Sequence, residues 1–130
     1  MVAPSVPQVV ATLFGLSVDD IERMSPRQRI RRGGVSREYD VVTLFPGHAL
    51  ITESKTRLCA EDVAQFVRTL AGAREFLPEI AGRCLIGAVA SLYLDEAVAT
   101  YAERQGLIVM GLGDDLMEAK NAPGFVPKAF

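Results

Sequence analysis

Two acidic residues stand in a pattern that could bind a metal ion. Asp40 lies in a run rich in β-branched and aromatic residues, and Glu53 lies in the next such run along the chain. The runs flank Pro46-Gly47, which predicts an antiparallel hairpin. With residues 45–48 as the loop, Asp40 falls opposite Glu53. Both side chains then point to one face, because strand side chains alternate with a period of two.

This register places two like charges side by side. Carboxylates directly opposite on paired strands lie roughly 5 Å apart and repel each other. Asp40 and Glu53 also continue a face that is apolar nearer the turn, so burial adds a desolvation cost. A divalent cation with oxygen ligands would offset both effects, and Lys55 brings a second positive group to the face. Glu38, opposite Lys55, is either a further ligand or the partner that neutralises the lysine.

An acid on one strand followed by Glu-x-Lys on the next resembles the PD-(D/E)XK nuclease superfamily. The matching segments are residues 38–42 and 51–56, and the similarity extends over roughly residues 37–111. Within the superfamily the chain looks like an uncharacterised bacterial branch similar to Holliday-junction resolvases. The resemblance therefore implies a nuclease, with a restriction-endonuclease-like fold.

The resemblance also implies roles for the site residues. Asp40 and Glu53 would bind Mg²⁺ or Mn²⁺, with the backbone carbonyl of Ser54 as a further ligand. Lys55 would orient or activate the attacking water and stabilise charge on the phosphate. Gln65 lies on the polar side of the next predicted helix, where it is either auxiliary to the site or part of an exposed helix face.

The predicted elements agree with an α/β fold, a mixed β-sheet flanked by helices. Continuous apolar runs predict buried strands, and a strand–helix–strand order predicts a right-handed crossover between parallel strands. The expected order is helix, hairpin, helix, strand, helix and strand, at residues 17–28, 38–55, 61–77, 84–90, 94–104 and 107–111.

The 130 residues fit a single domain. Residues 1–16 are apolar and contain two prolines, which predicts either an ordered arm that packs on a partner or a loose lead-in. Residues 121–130 predict an irregular tail. Ile30 to Ser36 would have to supply the first core strand, and Gly111 to Asp115 predict a turn.

The charge distribution bears on the partner. The formal net charge of −2 gives no overall basic footprint and counts against nucleic acid. Six arginines nevertheless fall in one short stretch, and such a local patch can contact phosphates. A solvated helix face is the other interpretation. Besides Arg23, which completes the stretch, the expected nucleic-acid contacts are Arg27, Arg29, Arg31, Arg32 and Arg37.

The favoured hypothesis is a metal-dependent nuclease that hydrolyses phosphodiester bonds in DNA. A domain of this size covers little duplex alone, so we expect a homodimer, joined through the apolar arm or the tail. No apolar run is long enough to span a membrane and no signal peptide is visible, so we expect a cytoplasmic location. The alternative is a catalytically silent nuclease-fold protein that acts as a nucleic-acid-binding or assembly module. The single histidine, His48, is expected to be a turn residue.

Overall fold

A mixed β-sheet with its strands in chain order forms the centre of the fold, in a computed structural model that describes residues 2–113 and 117–130. The strands within these residues are β1 Arg23–Arg32, β2 Val35–Phe45, β3 His48–Arg57, β4 Cys84–Tyr93, β5 Ile108–Leu112 and β6 Met117–Ala119. Strands β1, β2 and β3 pair antiparallel, β3, β4 and β5 pair parallel, and β6 returns antiparallel along β5.

Helices cover both faces of this sheet. The helices of the described residues are α1 Val2–Phe14, α2 Ala60–Phe76 and α3 Glu96–Arg104. Helices α2 and α3 are the crossovers between the parallel strands and pack together over one face, whereas α1 packs over the other. The arrangement is the mixed α/β fold that the sequence predicts, with both strand–helix–strand units in place.

Each face of the sheet has its own apolar core. Consecutive residues of β3 serve opposite cores, since Ile51 packs beneath α2 and Leu50 packs beneath α1. A strand buried on both faces is apolar without alternation, as this segment is. In β4, Gly87 allows α2 to approach closely, because a Cβ at this position would overlap the side chain of Leu70.

The first strand is longer and earlier than the sequence indicates. Ser17 forms a capping box with Asp20, but it caps only a single turn at Val18–Asp20. The chain then enters β1 at Arg23, so the helix predicted at residues 17–28 is wrong. A strand forms here because β2 supplies the pairing partner along its whole length, which overrides the local helix signal. The proposed first core strand at Ile30 to Ser36 instead spans the end of β1, the turn and the first two residues of β2.

The N-terminal residues form a helix that packs on the chain's own sheet. Val6, Val9 and Val10 of α1 are buried against residues such as Phe45 and Ile86. The segment is therefore ordered, but it packs on the chain's own sheet, so it is neither the arm that packs on a partner nor the loose lead-in. The apolar arm at residues 1–16, which we expected to form the dimer contact, therefore has its apolar face covered by the chain's own sheet.

Residues 121–130 have no helix or strand but are tied to the sheet. The side chain of Asn121 bonds both the amide of Val109 and the carbonyl of Leu107. The amide of Phe130 donates to the carbonyl of Leu85 at 2.7 Å. The turn predicted at Gly111 to Asp115 includes Asp114 and Asp115, which lie outside the described residues. No helix in the described ranges is long and apolar enough to cross a membrane.

Candidate functional site

The hairpin that carries the acidic residues has the predicted register. Leu44 pairs with Ala49 and Val42 pairs with Ile51, as expected from the sequence. The loop is tighter than predicted, because Phe45 already pairs with His48 and only Pro46-Gly47 remain in the turn. Gly47 adopts a φ of +74°, a conformation that glycine enters without steric cost. Both loop lengths give the same register, so the prediction was insensitive to this difference.

The two strands separate at the acidic residues. The ladder between β2 and β3 ends at Val41 and Thr52, one pair short of Asp40 and Glu53. Beyond this point β2 pairs only with β1, and β3 pairs only with β4. A carboxylate oxygen of Asp40 replaces the missing main-chain acceptor, taking the amide of Ser54 at 2.9 Å and its hydroxyl at 3.3 Å. We call this opening between β2 and β3 the fork.

In residues 27–40, the part of β1 and β2 beyond the fork, the side chains point to the faces opposite to those that strict alternation along the strands would give. Tyr39 packs in the same core as Val42, although strict alternation would place these two residues on opposite faces. The change falls at Asp40 on β2 and at Arg27 on β1, which face each other in the register. Arg27 has a φ of +52°, and its rung of the ladder is missing. We call residues 27–40 the arginine ribbon.

Because of this reversal, the side chain of Glu38 lies away from the site. Since Tyr39 packs beneath α2, its neighbour Glu38 points to the opposite face, where it forms a 3.5 Å ion pair with Arg29. Strict alternation placed Glu38 beside Asp40, and that prediction fails because alternation is broken between them. Both members of the ion pair are well exposed, so it contributes little to stability.

Glu53 carries the clearest electrostatic signature of the site. Burial raises its pKa above the ordinary 4.5, and the negative charges of Asp40 and Asp62 raise it further, while Lys55 lowers it. Sequence reasoning missed Asp62, which lies in the first turn of α2 and caps that helix through the amide of Cys59 at 2.9 Å. Its only sequence signal is its place at the start of the helix that follows the motif, where acids are common for dipole reasons alone.

Lys55 lies two residues beyond Glu53 on β3 and is exposed. Strand alternation places both side chains on the α2 face, and the lysine charge lowers the pKa of Glu53. Asp40 and Lys55 thus both lie near enough to Glu53 for their charges to act on its pKa, and the assignment of the three residues to one catalytic site stays a prediction. The Ser54 carbonyl as a ligand stays a prediction, because the contacts seen at Ser54 run through its amide and hydroxyl.

The predicted arginines all lie on the arginine ribbon but in different surroundings. Arg37 stacks on the ring of Phe76 in α2, with its guanidinium carbon 5.2 Å from the ring centre, and Arg29 holds Glu38. Arg27, Arg31 and Arg32 are exposed. The stretch, for which a solvated helix face was the other interpretation, is therefore a two-stranded basic surface beside the fork.

The remaining predicted residues fall outside the cluster of charges. Gln65 is exposed one turn after Asp62 and accepts a 2.8 Å hydrogen bond from Arg68, which fits the exposed-face interpretation. His48 is the first residue of β3 and directly follows the turn, with Nδ1 2.9 Å from the carbonyl oxygen of Pro46, so it lies at the turn end of the hairpin and not within the turn itself.

The donor set at the fork suits a hard divalent cation. Carboxylate oxygens are the ligands that Mg²⁺ prefers. A bound cation would also offset the repulsion that Asp40 and Asp62 exert on the Glu53 carboxylate. Asp40 uses one oxygen for Ser54, and within the described residues its other oxygen accepts no hydrogen bond. Among the described residues, no group of three or more acids, histidines or cysteines is placed to hold an ion together. A bound ion would therefore take most of its ligands from water or substrate.

Solved structures share this fold at low sequence identity. VC1899 from Vibrio cholerae matches with a TM-score of 0.58 and 20% identity, over 84% of this chain and 28% of its own. A repair endonuclease from Pyrococcus abyssi matches at 0.52 and 19%, over 84% and 46%. AF1548, a protein of unknown function, matches at 0.52 and 18%, over 82% and 56%. No protein-family model and no curated protein sequence matches the chain.

The similarity covers only part of each solved protein. This chain spans 28% to 56% of the three solved proteins, so each of them contains more than the shared unit. Identities of 20% or less establish the fold alone. Membership of the PD-(D/E)XK superfamily stays a prediction, and the shared architecture is a mixed α/β fold whose topology is consistent with the restriction-endonuclease-like arrangement.

Proposed function

We propose that this chain is a cytoplasmic, metal-dependent nuclease that hydrolyses phosphodiester bonds in DNA. The observation that carries the proposal is that Asp40 and Lys55 lie near Glu53 at the fork, where burial first, and then the charges of Asp40 and Asp62, raise the pKa of Glu53. Such perturbed groups cluster at functional sites. The solved neighbour from Pyrococcus abyssi, described as a repair endonuclease, supports the same class of activity.

Asp40 and Glu53 would hold Mg²⁺ or Mn²⁺, which when bound polarises the phosphate and makes hydroxide accessible near neutral pH. Ser54 fixes the orientation of Asp40 through its amide and hydroxyl. The exposed ammonium of Lys55 would bind a phosphate oxygen and stabilise the charge that develops there. The arginine ribbon would bind phosphates on either side, since it concentrates positive charge beside the fork.

Melting with and without Mn²⁺ tests the metal site before any activity is measured. Metal that binds only the folded chain raises its stability by mass action, so wild type should melt higher with Mn²⁺. The Asp40→Asn and Glu53→Gln variants should lose this gain. The Glu38→Gln variant is the matched control, because Glu38 lies off the site and should leave the gain intact. A gain that is equal in all four proteins would refute the assignment.

A cleavage panel tests the activity. Plasmid, linear, single-stranded and four-way-junction DNA are incubated with Mg²⁺ or Mn²⁺, and products are resolved on gels. Removing one charge-stabilising group typically costs a hundredfold or more in rate, so the Lys55→Gln variant should bind Mn²⁺ yet cut roughly a hundredfold more slowly. Equal cutting by this variant and wild type would contradict the role of Lys55.

A second candidate is a catalytically silent module that binds nucleic acid or assembles with other chains. The observation in its favour is that no three-ligand acidic group is found among the described residues. In that case DNA would bind the arginine ribbon with no cleavage in any metal.

We also propose that two copies act together, because a unit of this size covers little duplex. Burial of α1 removes the earlier argument for the contact surface, so light scattering at micromolar concentration is the measurement that decides. A monomer at that concentration would contradict this part of the proposal.

A further inference from the structure

An exposed arginine–tyrosine pair lies at the ends of β3 and β4. Arg57 and Tyr93 are register partners on these parallel strands, and the guanidinium carbon lies 5.3 Å from the centre of the tyrosine ring. Tyr93 is 59% exposed. Of the other two tyrosines, Tyr39 is buried and Tyr101 packs against the core. Tyr93 is therefore the tyrosine whose ring is offered to solvent.

This pair is aligned with the candidate site. Glu53, Lys55 and Arg57 follow one another at every second position of β3, each in register with a residue of β4: Val89, Ser91 and Tyr93. Four residues of strand separate Glu53 from Arg57, a distance of about 13 Å along the chain. Lys55 therefore lies between Glu53 and Arg57 on the strand, and the Arg57–Tyr93 pair lies at the end of the strand away from Glu53.

The chemistry of this row matches an unpaired stretch of nucleic acid. Single strands are bound by a track of positive charge for the phosphates and by aromatic rings on which bases stack. Lys55 and Arg57 supply the charges, and Tyr93 supplies the ring. A guanidinium already stacked on the ring also keeps it from rotating freely, because the cation–π contact favours one geometry. Inside a duplex both faces of each base are occupied by neighbouring bases, and a blunt end leaves free only the outer face of its terminal pair.

We infer that Arg57 and Tyr93 form a stacking platform for an unpaired nucleotide adjacent to the scissile phosphate. The inference rests on the proposed nuclease function and narrows its substrate class. The substrate would be DNA with a single-stranded tail, flap or gap, in which the tail passes Lys55 and its bases stack on Tyr93.

Binding without divalent metal tests the platform independently of cleavage. Fluorescence anisotropy in EDTA compares a labelled blunt duplex with the same duplex carrying a short thymidine tail. Wild type should bind the tailed duplex more tightly. The Tyr93→Ala variant should lose roughly fivefold or more of that affinity and bind both duplexes alike, because base–aromatic stacking is removed. The Tyr93→Phe variant should keep the tail preference, since it keeps the ring.

Matched variants separate stacking from general effects. Leu112→Ala removes another exposed apolar side chain, from β5, and should leave tail binding unchanged. Arg57→Gln should weaken tail binding and lower its dependence on salt, whereas Tyr93→Ala should leave the salt dependence as it is. Melting temperatures of all variants should match wild type, because both side chains are exposed at strand ends.

The outcomes distinguish the two proposals. Equal affinity of wild type for tailed and blunt duplex, or undiminished tail binding by Tyr93→Ala, would overturn the platform. If cleavage in Mn²⁺ still occurs in that case, the nuclease proposal stands alone. Absence of any DNA binding would overturn both.

Discussion

At the residue scale, Glu53 is expected to make stability depend on pH in an unusual direction. Its pKa is raised above 4.5 in the folded chain, first by burial and then by Asp40 and Asp62. The folded state therefore holds this proton more tightly than the unfolded state, and stability falls as pH rises from 4.5 through the raised pKa. Most acids that are paired in a folded protein act in the opposite sense.

The Glu53→Gln variant should therefore melt higher than wild type at neutral pH without metal. The difference should shrink as pH falls and disappear below 4.5, where the glutamate is protonated in both states. Thermal melting across pH measures this, with Glu38→Gln as an exposed control that should show little change. A Glu53→Gln variant that melts lower than wild type at neutral pH would contradict the electrostatic account.

Arg27 stands in a conformation that costs an arginine free energy. Its φ of +52° belongs to the left-handed region, which glycine enters freely and other residues enter at a cost of roughly 1 kcal/mol. The Arg27→Gly variant should therefore be more stable by about 1 kcal/mol, with a melting temperature a few degrees higher. Arg31→Gly, in the same strand, should be less stable. If both variants lose stability, the backbone at Arg27 is not strained.

At the element scale, the approach of α2 to β4 depends on Gly87. A methyl group there would overlap Leu70 and press on Leu107 and Phe66, at 3.0 and 3.2 Å. The Gly87→Ala variant should lose about 1–3 kcal/mol of stability, since overpacking forces side chains from their rotamers. Gly72→Ala is the control: Gly72 has nothing within 4 Å and lies inside α2, so alanine should stabilise by about 1 kcal/mol. Chemical denaturation measures both.

The elements that sequence reasoning recovered are those with strong local signals. Pro46-Gly47 determines the hairpin register, and the apolar runs of β4 and β5 identify buried strands without any knowledge of the partner. The strand β1 was missed because its arginines and proline carry no strand pattern, and it forms only where β2 offers a ladder. The three-residue strand β6 is too short to leave a pattern.

The site was recovered in part for the same reason. Asp40, Glu53 and Lys55 follow from the hairpin, whose geometry is local. Glu38 was misplaced because period-two alternation fails at the fork, and no residue type in β2 marks that failure. Asp62 approaches Glu53 only because α2 packs over β3, a tertiary fact that a single sequence does not contain.

At the scale of the whole molecule, α1 is the cover of one sheet face. Val6 and Val10 are fully buried there, and Phe45, Leu50 and Ile86 lie beneath the helix. A chain beginning at Ser17 should expose this apolar face, so it should bind a hydrophobic dye and associate. Light scattering and dye fluorescence check this against the full chain. A shortened chain that stays monomeric and binds no dye would contradict this role of α1 in covering the apolar sheet face.

The position of α1 has a consequence for the order of folding. Each strand pairs with its immediate predecessor in the chain, so the sheet can grow in chain order, although the parallel pairs of β3, β4 and β5 close across whole helices and should form slowly. The surface under α1, however, draws on β2 through β6, including Met117. Helix α1 precedes all of these strands in the chain, yet its binding surface is incomplete until β6 is in place. Val10→Ala should accordingly speed unfolding and leave the folding rate nearly unchanged, a low φ-value measurable by stopped-flow fluorescence or circular dichroism.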